Sequence, residues 1–544
     1  MNNSAMVDEI RKTETLAFPL ANLEKQDALW AALVFLGSLA LYIRTLAPDL
    51  LLGDSGEFQT VVYTLGMTHP TGYPVFVLLG RIFTLLPIGE MAWRANLFIA
   101  VLGAMAVTGV YLIVRLLGSW RLAAGFGAFV LAINPMFWFH AIIAELYIPA
   151  CAFSAAIILF VFLWRQKGAP QFLTVAGLLG GLSLGVHSTV ALIAPGILLF
   201  LCLTAQSRRA WLAALFGGVL GLALALGSFL ALDAYDNDAG YYNATVEHAL
   251  SIWNLDQDDF NSPLERLKFL YTGRQFQSQM FADPDSVMRT NGRMYLDILQ
   301  STFMPLTLGL VILGLLTGFF SHWRESLLII LAWAAQILFA INYDVYDYYV
   351  FFIPTYVFIA IWAGIGLGEG MQVIKWGLDK KAVTGNHAIW LPIAAGGMVF
   401  LFTIQFWGSM ITDAWQETQA SFARNTPLDE YPYPIDNPGW PLDEVRSVVD
   451  ELEDNAILFT DWDTLFPYYF VAHVEDYRTE MDFHETYPQD KEQGLARSTL
   501  AYIHENSNRP IYFTERPNGI YAKEIVLLPV KKAGRTLYQV KGLK

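Results

Sequence analysis

Apolar stretches of bilayer length recur along this chain, and they leave few folds open to it. A helix needs about 20 apolar residues to cross the hydrocarbon core. Runs of that kind begin near Trp30, Trp93, Leu122, Ile142, Phe172, Thr189, Trp211, Thr302, Leu327, Tyr349 and Ile389, eleven in all. In lipid, backbone N–H and C=O groups must be paired within the protein, so such runs read as helices. A further run, Gly72 to Leu86, is shorter and interrupted by Arg81. It reads equally as a twelfth span or as a helix lying in the interface. Only 15% of the residues are charged, against roughly a quarter in a soluble chain.

Charge distribution supplies an expected orientation. Connections holding Arg115 and Arg121, Arg165 and Lys167, Arg208 and Arg209, Arg324, and then Lys375, Lys380 and Lys381 alternate with acidic or aromatic ones. The basic set belongs on the cytoplasmic side. The loop holding Asp54, the long Asp233 to Asp297 segment and the C-terminal region are therefore expected outside. Residues 1–27 lack the order of a cleavable signal peptide and are expected to form a cytoplasmic tail. Cys151 and Cys202 sit in apolar runs and build no disulfide framework. A net charge of -15 offers no basic footprint for nucleic acid.

The expected division is a tail at 1–27, a transmembrane domain at 28–411 with outer loops at 48–92 and 232–298, and an extracytoplasmic domain at 412–544. Strand-like runs at Ala456 to Thr460, Ile511 to Thr514, Ile525 to Val530 and Leu537 to Val540 frame helical stretches, which predicts a small α/β domain. Five prolines between Pro427 and Pro441 mark its linker.

Chemistry concentrates between Pro48 and Pro87, which holds Asp54, Glu57, His69 and Arg81 just after the first apolar run. Acidic groups beside a bilayer are expensive to place, which points to a function. Phe58, Val61, Val62 and Leu65 fall at i, i+3, i+4 and i+7 and predict an amphipathic helix on the membrane surface. Asp54 and Glu57 open that helix. They read either as a capping-box variant or as carboxylates for catalysis, and a cap can also be catalytic. His69 lies in MTHPTGYP, whose prolines and glycine predict a rigid turn.

Elsewhere, Glu145 is an acid, or a helix cap, at the outer start of the fourth span. Arg94 stands at the depth of a lipid phosphate, as a ligand or an interfacial anchor, and Arg81 could snorkel. His187 ends the fifth span. Asp344, Asp347, Tyr348 and Tyr349 read as an aromatic belt or a sugar-stacking cluster. Asp461 and Asp463 follow a strand-like run, as ligand contacts or loop caps. Asp256, Asp258 and Asp259 cluster without a recognisable metal-ligand spacing.

Four pieces, DSGEF, HPTGYP, the GR of LLGRIF and RANL at Arg94 to Leu97, occur in an order and spacing that resemble glycosyltransferase family 117. These are GT-C membrane enzymes related to the eukaryotic transmembrane protein O-mannosyltransferases. LSLGVHSTV around His187 extends the likeness, and LFTDWDTLFPYYF with RPIYF resembles the C-terminal domain of bacterial members. The resemblance implies a polytopic helical GT-C fold of about eleven transmembrane helices with a small soluble α/β domain. It implies transfer of a sugar from a polyprenyl-phosphate donor to a hydroxyl, with Ser or Thr of a translocated protein as the expected acceptor, at the outer face of the plasma membrane. Asp54 would be the base and Glu57 its partner. Arg94 would lead the donor contacts, with Arg81, His69, His187, Tyr73, Glu145 and Arg274 as further candidates. No metal ligand and no cofactor are expected, and a divalent-cation requirement is left open. The loop between spans seven and eight does not align, which leaves acceptor specificity open.

Such a reaction needs a base for the incoming hydroxyl and donors on the departing phosphate, a role that suits arginine. A transporter or flippase would instead place ionisable groups near mid-membrane, whereas here they lie at the outer ends of the spans. A glycan polymerase or ligase using the same donor is a competing function, and so is a non-enzymatic scaffold.

Overall fold

The structure, a computed structural model, describes residues 20–424 and 442–544, except 236, 254, 256–259, 282, 381–386 and 487–494. The acidic trio Asp256, Asp258 and Asp259, the proline-rich linker and most of the N-terminal tail lie outside the described residues.

The membrane half begins with α1 (Lys25–Arg44), α2 (Gly53–Thr64), α3 (Pro74–Thr84), α4 (Met91–Leu116), α5 (Arg121–Ala132) and α6 (Pro135–His140). It continues with α7 (Tyr147–Lys167), α8 (Gln171–Ser183), α9 (Ala194–Thr204) and α10 (Arg208–Tyr235). After the long loop's α11 (Pro263–Thr272) come α12 (Pro284–Thr302), α13 (Pro305–Ser321), α14 (Trp323–Ala340), α15 (Thr355–Lys380) and α16 (His387–Arg424). Buried Asp27 on α1 accepts from Arg115 on α4 and Arg121 on α5, each at 2.8 Å, tying three helices together at one end.

A helix coincides with every expected span, but the count of eleven is not confirmed. Among the described residues seven helices are long and apolar enough to cross a membrane, or eight if α12 and α13, bent by 113° to one another, form one span. α5, α8 and α9 have 12, 13 and 11 residues. At about 1.5 Å per residue they are shorter than the ~30 Å core. The breaks have local causes. Asn134 and Pro135 end one apolar run and start α6, where Asn134 caps the Phe137 N–H at 3.2 Å. Between α8 and α9 the chain leaves the helix at His187 and makes a 3-10 turn, Ser188–Ile193. The Gly72 to Leu86 run is resolved as α3, of 11 residues, too short to cross alone.

Close helix contacts rest on glycine. Gly177 and Gly181 on α8 face Gly217 and Gly221 on α10. A Cβ on Gly217 would lie 2.0 Å from the Thr174 carbonyl oxygen, and one on Gly221 2.2 Å from that of Leu178. Small residues four apart on both partners let the backbones touch, as membrane helices require when no hydrophobic force draws them together.

The C-terminal unit comprises α17 (Leu442–Glu451), β1 (Ile457–Thr460), α18 (Trp462–Tyr469), β2 (Asp482–Glu485), α19 (Arg497–Glu505), β3 (Ile511–Phe513), β4 (Ile525–Lys532) and β5 (Arg535–Leu543). The sheet order is β2-β1-β3-β5-β4. β1 runs parallel to β2 and β3, and β5 runs antiparallel to β3 and β4. The four expected strands are present. β2, with the sequence DFHE, is additional and too short and polar to carry an alternating pattern. α16 runs unbroken through residue 412, so the last apolar run and the start of the expected soluble domain share one helix.

Gly221→Ala is expected to force α8 and α10 apart and to cost roughly 1–3 kcal/mol, seen as a lower melting temperature of the detergent-solubilised protein by scanning fluorimetry. Gly227→Ala on the same helix, where an added Cβ meets nothing within 4 Å, should leave it unchanged.

Candidate active site

α2 does not lie on a surface with a polar face to water. Residues Ser55 through Val62 are all buried, because α18 of the C-terminal domain covers the face that the amphipathic pattern assigned to solvent. The Thr60 hydroxyl donates to the Phe466 carbonyl at 3.1 Å, and a Cβ on Gly56 would meet the Pro467 ring at 3.0 Å. The capping-box reading also falls. The N-cap is Leu52, without a side-chain cap, and Asp54 lies inside the first turn. Its Oδ1 accepts from the Trp462 indole at 2.8 Å.

Glu57, one turn further along, is fully buried. α2 ends where Leu65 takes a left-handed conformation (φ 62°), and the chain doubles back so that His69 meets Glu57. The His69 backbone N–H donates to Oε1 at 2.7 Å, and its ring Nδ1 bonds to Oε2. The Tyr73 hydroxyl donates to the Pro70 carbonyl at 2.8 Å and closes the turn. Burial alone would depress His69, but the carboxylates of Glu57 and Asp54, helped by Glu145, outweigh it and push the imidazole up to about 9. Burial raises Glu57 as well, so the pair holds the proton between them tightly.

Asp54, His69, Tyr73, Glu145 and His187 all line one cavity of about 780 Å³. Ser55 donates to Glu145 at 3.1 Å. Burial, with Asp54 and Asp347 nearby, holds the Glu145 carboxyl well above the usual range. Burial and Asp54 raise Asp347 as well. His187 bonds to the Thr189 hydroxyl through Nδ1 at 2.6 Å and stacks on Tyr73 with centroids 5.6 Å apart.

The arginines lie elsewhere. Arg94 spends its guanidinium on the carbonyls of Ile88 and Gly89, each at 2.8 Å, and Thr84 at 2.9 Å, and so braces the turn before α4. Arg81 donates to the Tyr63 carbonyl at 2.7 Å and lies 4.8 Å from that ring's centroid. Arg274 is outside the lining, although its neighbours Gly273 and Gln275 belong to it. No lysine or arginine occurs among the described residues that line the cavity.

Sequence reasoning did not single out Trp462, Tyr241, Gln275, Gln279 or Tyr343, which complete the walls. The run RQFQSQ and the DWD after a strand are visible signals. Their meeting with Asp54 across some 200 to 400 positions of chain is not.

A raised histidine stabilises the fold fully below its unfolded value near 6.5, and that stability is lost as pH climbs through about 9. The melting temperature is therefore expected to fall between pH 7 and pH 10, and Glu57→Gln should flatten that fall. Parallel pH slopes for both proteins would contradict the pairing.

The sequence model described as the protein O-mannosyl-transferase TMEM260 N-terminal domain matches residues 54–210, a stretch that opens at Asp54. The chain is 40% identical over 119 residues to the Mus musculus protein O-mannosyl-transferase TMEM260, covering 21% of this chain and 16% of that protein. It is 28% identical over 148 residues to the Dictyostelium discoideum protein O-mannosyl-transferase tmem260, covering 27% of this chain and 18% of that protein. The chain thus spans under a fifth of the length of these relatives. Among solved structures, ArnT from Cupriavidus metallidurans bound to undecaprenyl phosphate superposes with a TM-score of 0.54 at 14% identity, covering 94% of this chain and 98% of that one. The first-loop resemblance is borne out, and the chain has the multi-pass GT-C membrane fold.

Proposed function

We propose that this chain is a membrane glycosyltransferase that moves a sugar from a polyprenyl-phosphate carrier to an acceptor hydroxyl, with Ser or Thr of a translocated protein as acceptor. The observation that carries the reading is that one large cavity is lined both by a carboxylate (Asp54) and by an imidazole (His69) whose Nδ1 is held by Glu57. The match at residues 54–210 to an O-mannosyltransferase family supports it, as does a fold shared with a protein crystallised with undecaprenyl phosphate. The alternation of basic connections supports a cavity at the outer face of the plasma membrane.

In this reading Asp54 takes the acceptor's hydroxyl proton as its oxygen attacks the anomeric carbon. The carbon–phosphate oxygen bond breaks with its electron pair going to the phosphate, and the anomeric centre inverts. The phosphate needs no proton to leave, only positive charge. Glu57 occupies Nδ1 of His69, so Nε2 is the nitrogen left to donate to the phosphate. Burial keeps Glu145 and Asp347 protonated more readily than free carboxyls. That reduces the repulsion an acidic cavity would otherwise exert on an anionic donor. Glu57 acts by holding the histidine, and Arg94 by bracing the turn.

Asp54→Asn is expected to cut transfer from polyprenyl-phosphate sugars by about 10²–10⁴-fold with donor binding retained. His69→Asn should raise the donor KM by roughly 10–100-fold, the worth of a charge-assisted hydrogen bond. Steady-state kinetics on purified protein checks both. Undiminished turnover in the Asp54 variant would sink the assignment of the base.

A further inference from the structure

We propose that the C-terminal domain completes the catalytic centre, with Trp462 as a positioning residue whose indole N–H holds the Asp54 carboxylate ready to receive the acceptor proton. This rests on the reading of Asp54 as the base.

The sheet topology brings Trp462 there. Strands β1 and β2 run parallel, and ligand crevices in open parallel sheets lie beyond the carboxyl ends of the strands. Thr460 ends β1. Asp461 then caps α18 by accepting from the Thr464 N–H at 3.0 Å, and that cap places Trp462 and Asp463 in the first turn, facing the cavity. Glu485, at the end of β2, lines the same cavity. Three segments of the membrane half hold the domain in place. Thr60 bonds to the Phe466 carbonyl at 3.1 Å. Arg446 bridges Asp49 at 3.0 Å and Glu475 at 2.9 Å. His248, in the long loop, bonds to the Glu485 carbonyl at 2.8 Å. The indole also meets His69 and Tyr241 edge-on, with ring centroids 5.9 Å and 6.0 Å apart.

The chemistry of the contact suits a base. Indole is a donor that never ionises, so it fixes one carboxylate oxygen without placing positive charge on it. An arginine in that position would stabilise the anion and weaken it as a base. With Oδ1 engaged by Trp462, Oδ2 is the oxygen that takes the acceptor proton. The membrane half thus supplies the base, and the soluble half sets its orientation.

The test uses the purified full chain with undecaprenyl-phosphate mannose as donor probe and a serine- and threonine-containing peptide as acceptor. Trp462→Phe is expected to lower kcat about 10–100-fold at an unchanged donor KM, and to move the acid limb of the rate–pH profile upward, because a carboxylate that loses a donor holds its proton more tightly. Trp462→His, which restores an N–H, should recover part of the rate. Wild-type kcat and pH limb in Trp462→Phe, with Asp54→Asn inactive, would overturn the positioning role and leave the base assignment standing. Full activity in Asp54→Asn would remove the base and this inference with it. Loss of donor binding and of melting temperature together in Trp462→Phe would reduce the tryptophan to a packing residue. Should the wild type turn over no probe, carbodiimide labelling of Asp54 followed by mass spectrometry still decides the contact. Faster modification in Trp462→Phe is expected, and equal rates would overturn it.

Discussion

Glu57 has no exposure to solvent, and a carboxylate so placed costs several kcal/mol unless it is paired and hydrogen-bonded. Its partner, His69, arrives with two donors, a backbone N–H and a ring nitrogen, and both carboxylate oxygens are used. The bond closes the first loop on itself and sets a wall of the cavity. On that wall Asp54 is left accessible, because the other acid of the motif is committed to the histidine. Two carboxylates three residues apart therefore have different partners, an indole for Asp54 and an imidazole for Glu57.

Around this loop the membrane half departs from a simple bundle of equal spans. Helices of 11 to 13 residues stand among the longer ones, and the broken run at Leu184 to His187 brings a histidine to the cavity's lining. Irregular backbone of this kind is tolerated at membrane depth only where it is buried in protein or lines a cavity. The glycine-lined contact of α8 with α10 shows how such short pieces are kept in place.

The electrostatics of the cavity are unusual for a site that would hold an anionic donor. Its lining carries Asp54, Glu145, Asp344, Asp347, Asp463 and Glu485 with no lysine or arginine among the described residues. Burial answers part of this by favouring the neutral form of several of these acids. A single imidazole that holds its proton tightly then has more influence than it would in water, since interactions strengthen as the surroundings lose solvent.

Apolar length predicts a helix at each of eleven places, strand-like runs predict four of the five strands, and the Asp54 motif marks the loop that lines the cavity. These are local properties, written in hydropathy and turn chemistry, and they are legible in the chain as it stands. The fates of the individual side chains are not. Arg94 and Asp54 look equally available in sequence, but the guanidinium is consumed by three backbone carbonyls and the carboxylate meets an indole 408 positions away. Likewise, an i, i+3, i+4, i+7 pattern tells which face of α2 is apolar but cannot tell that a second domain buries the other face. Residue order alone was enough to dictate a polytopic helical chain with a small α/β unit and a charged first loop. Which of those charges reach the cavity was settled by packing, because hydrogen bonds are allotted by distances in space that no spacing along the chain encodes.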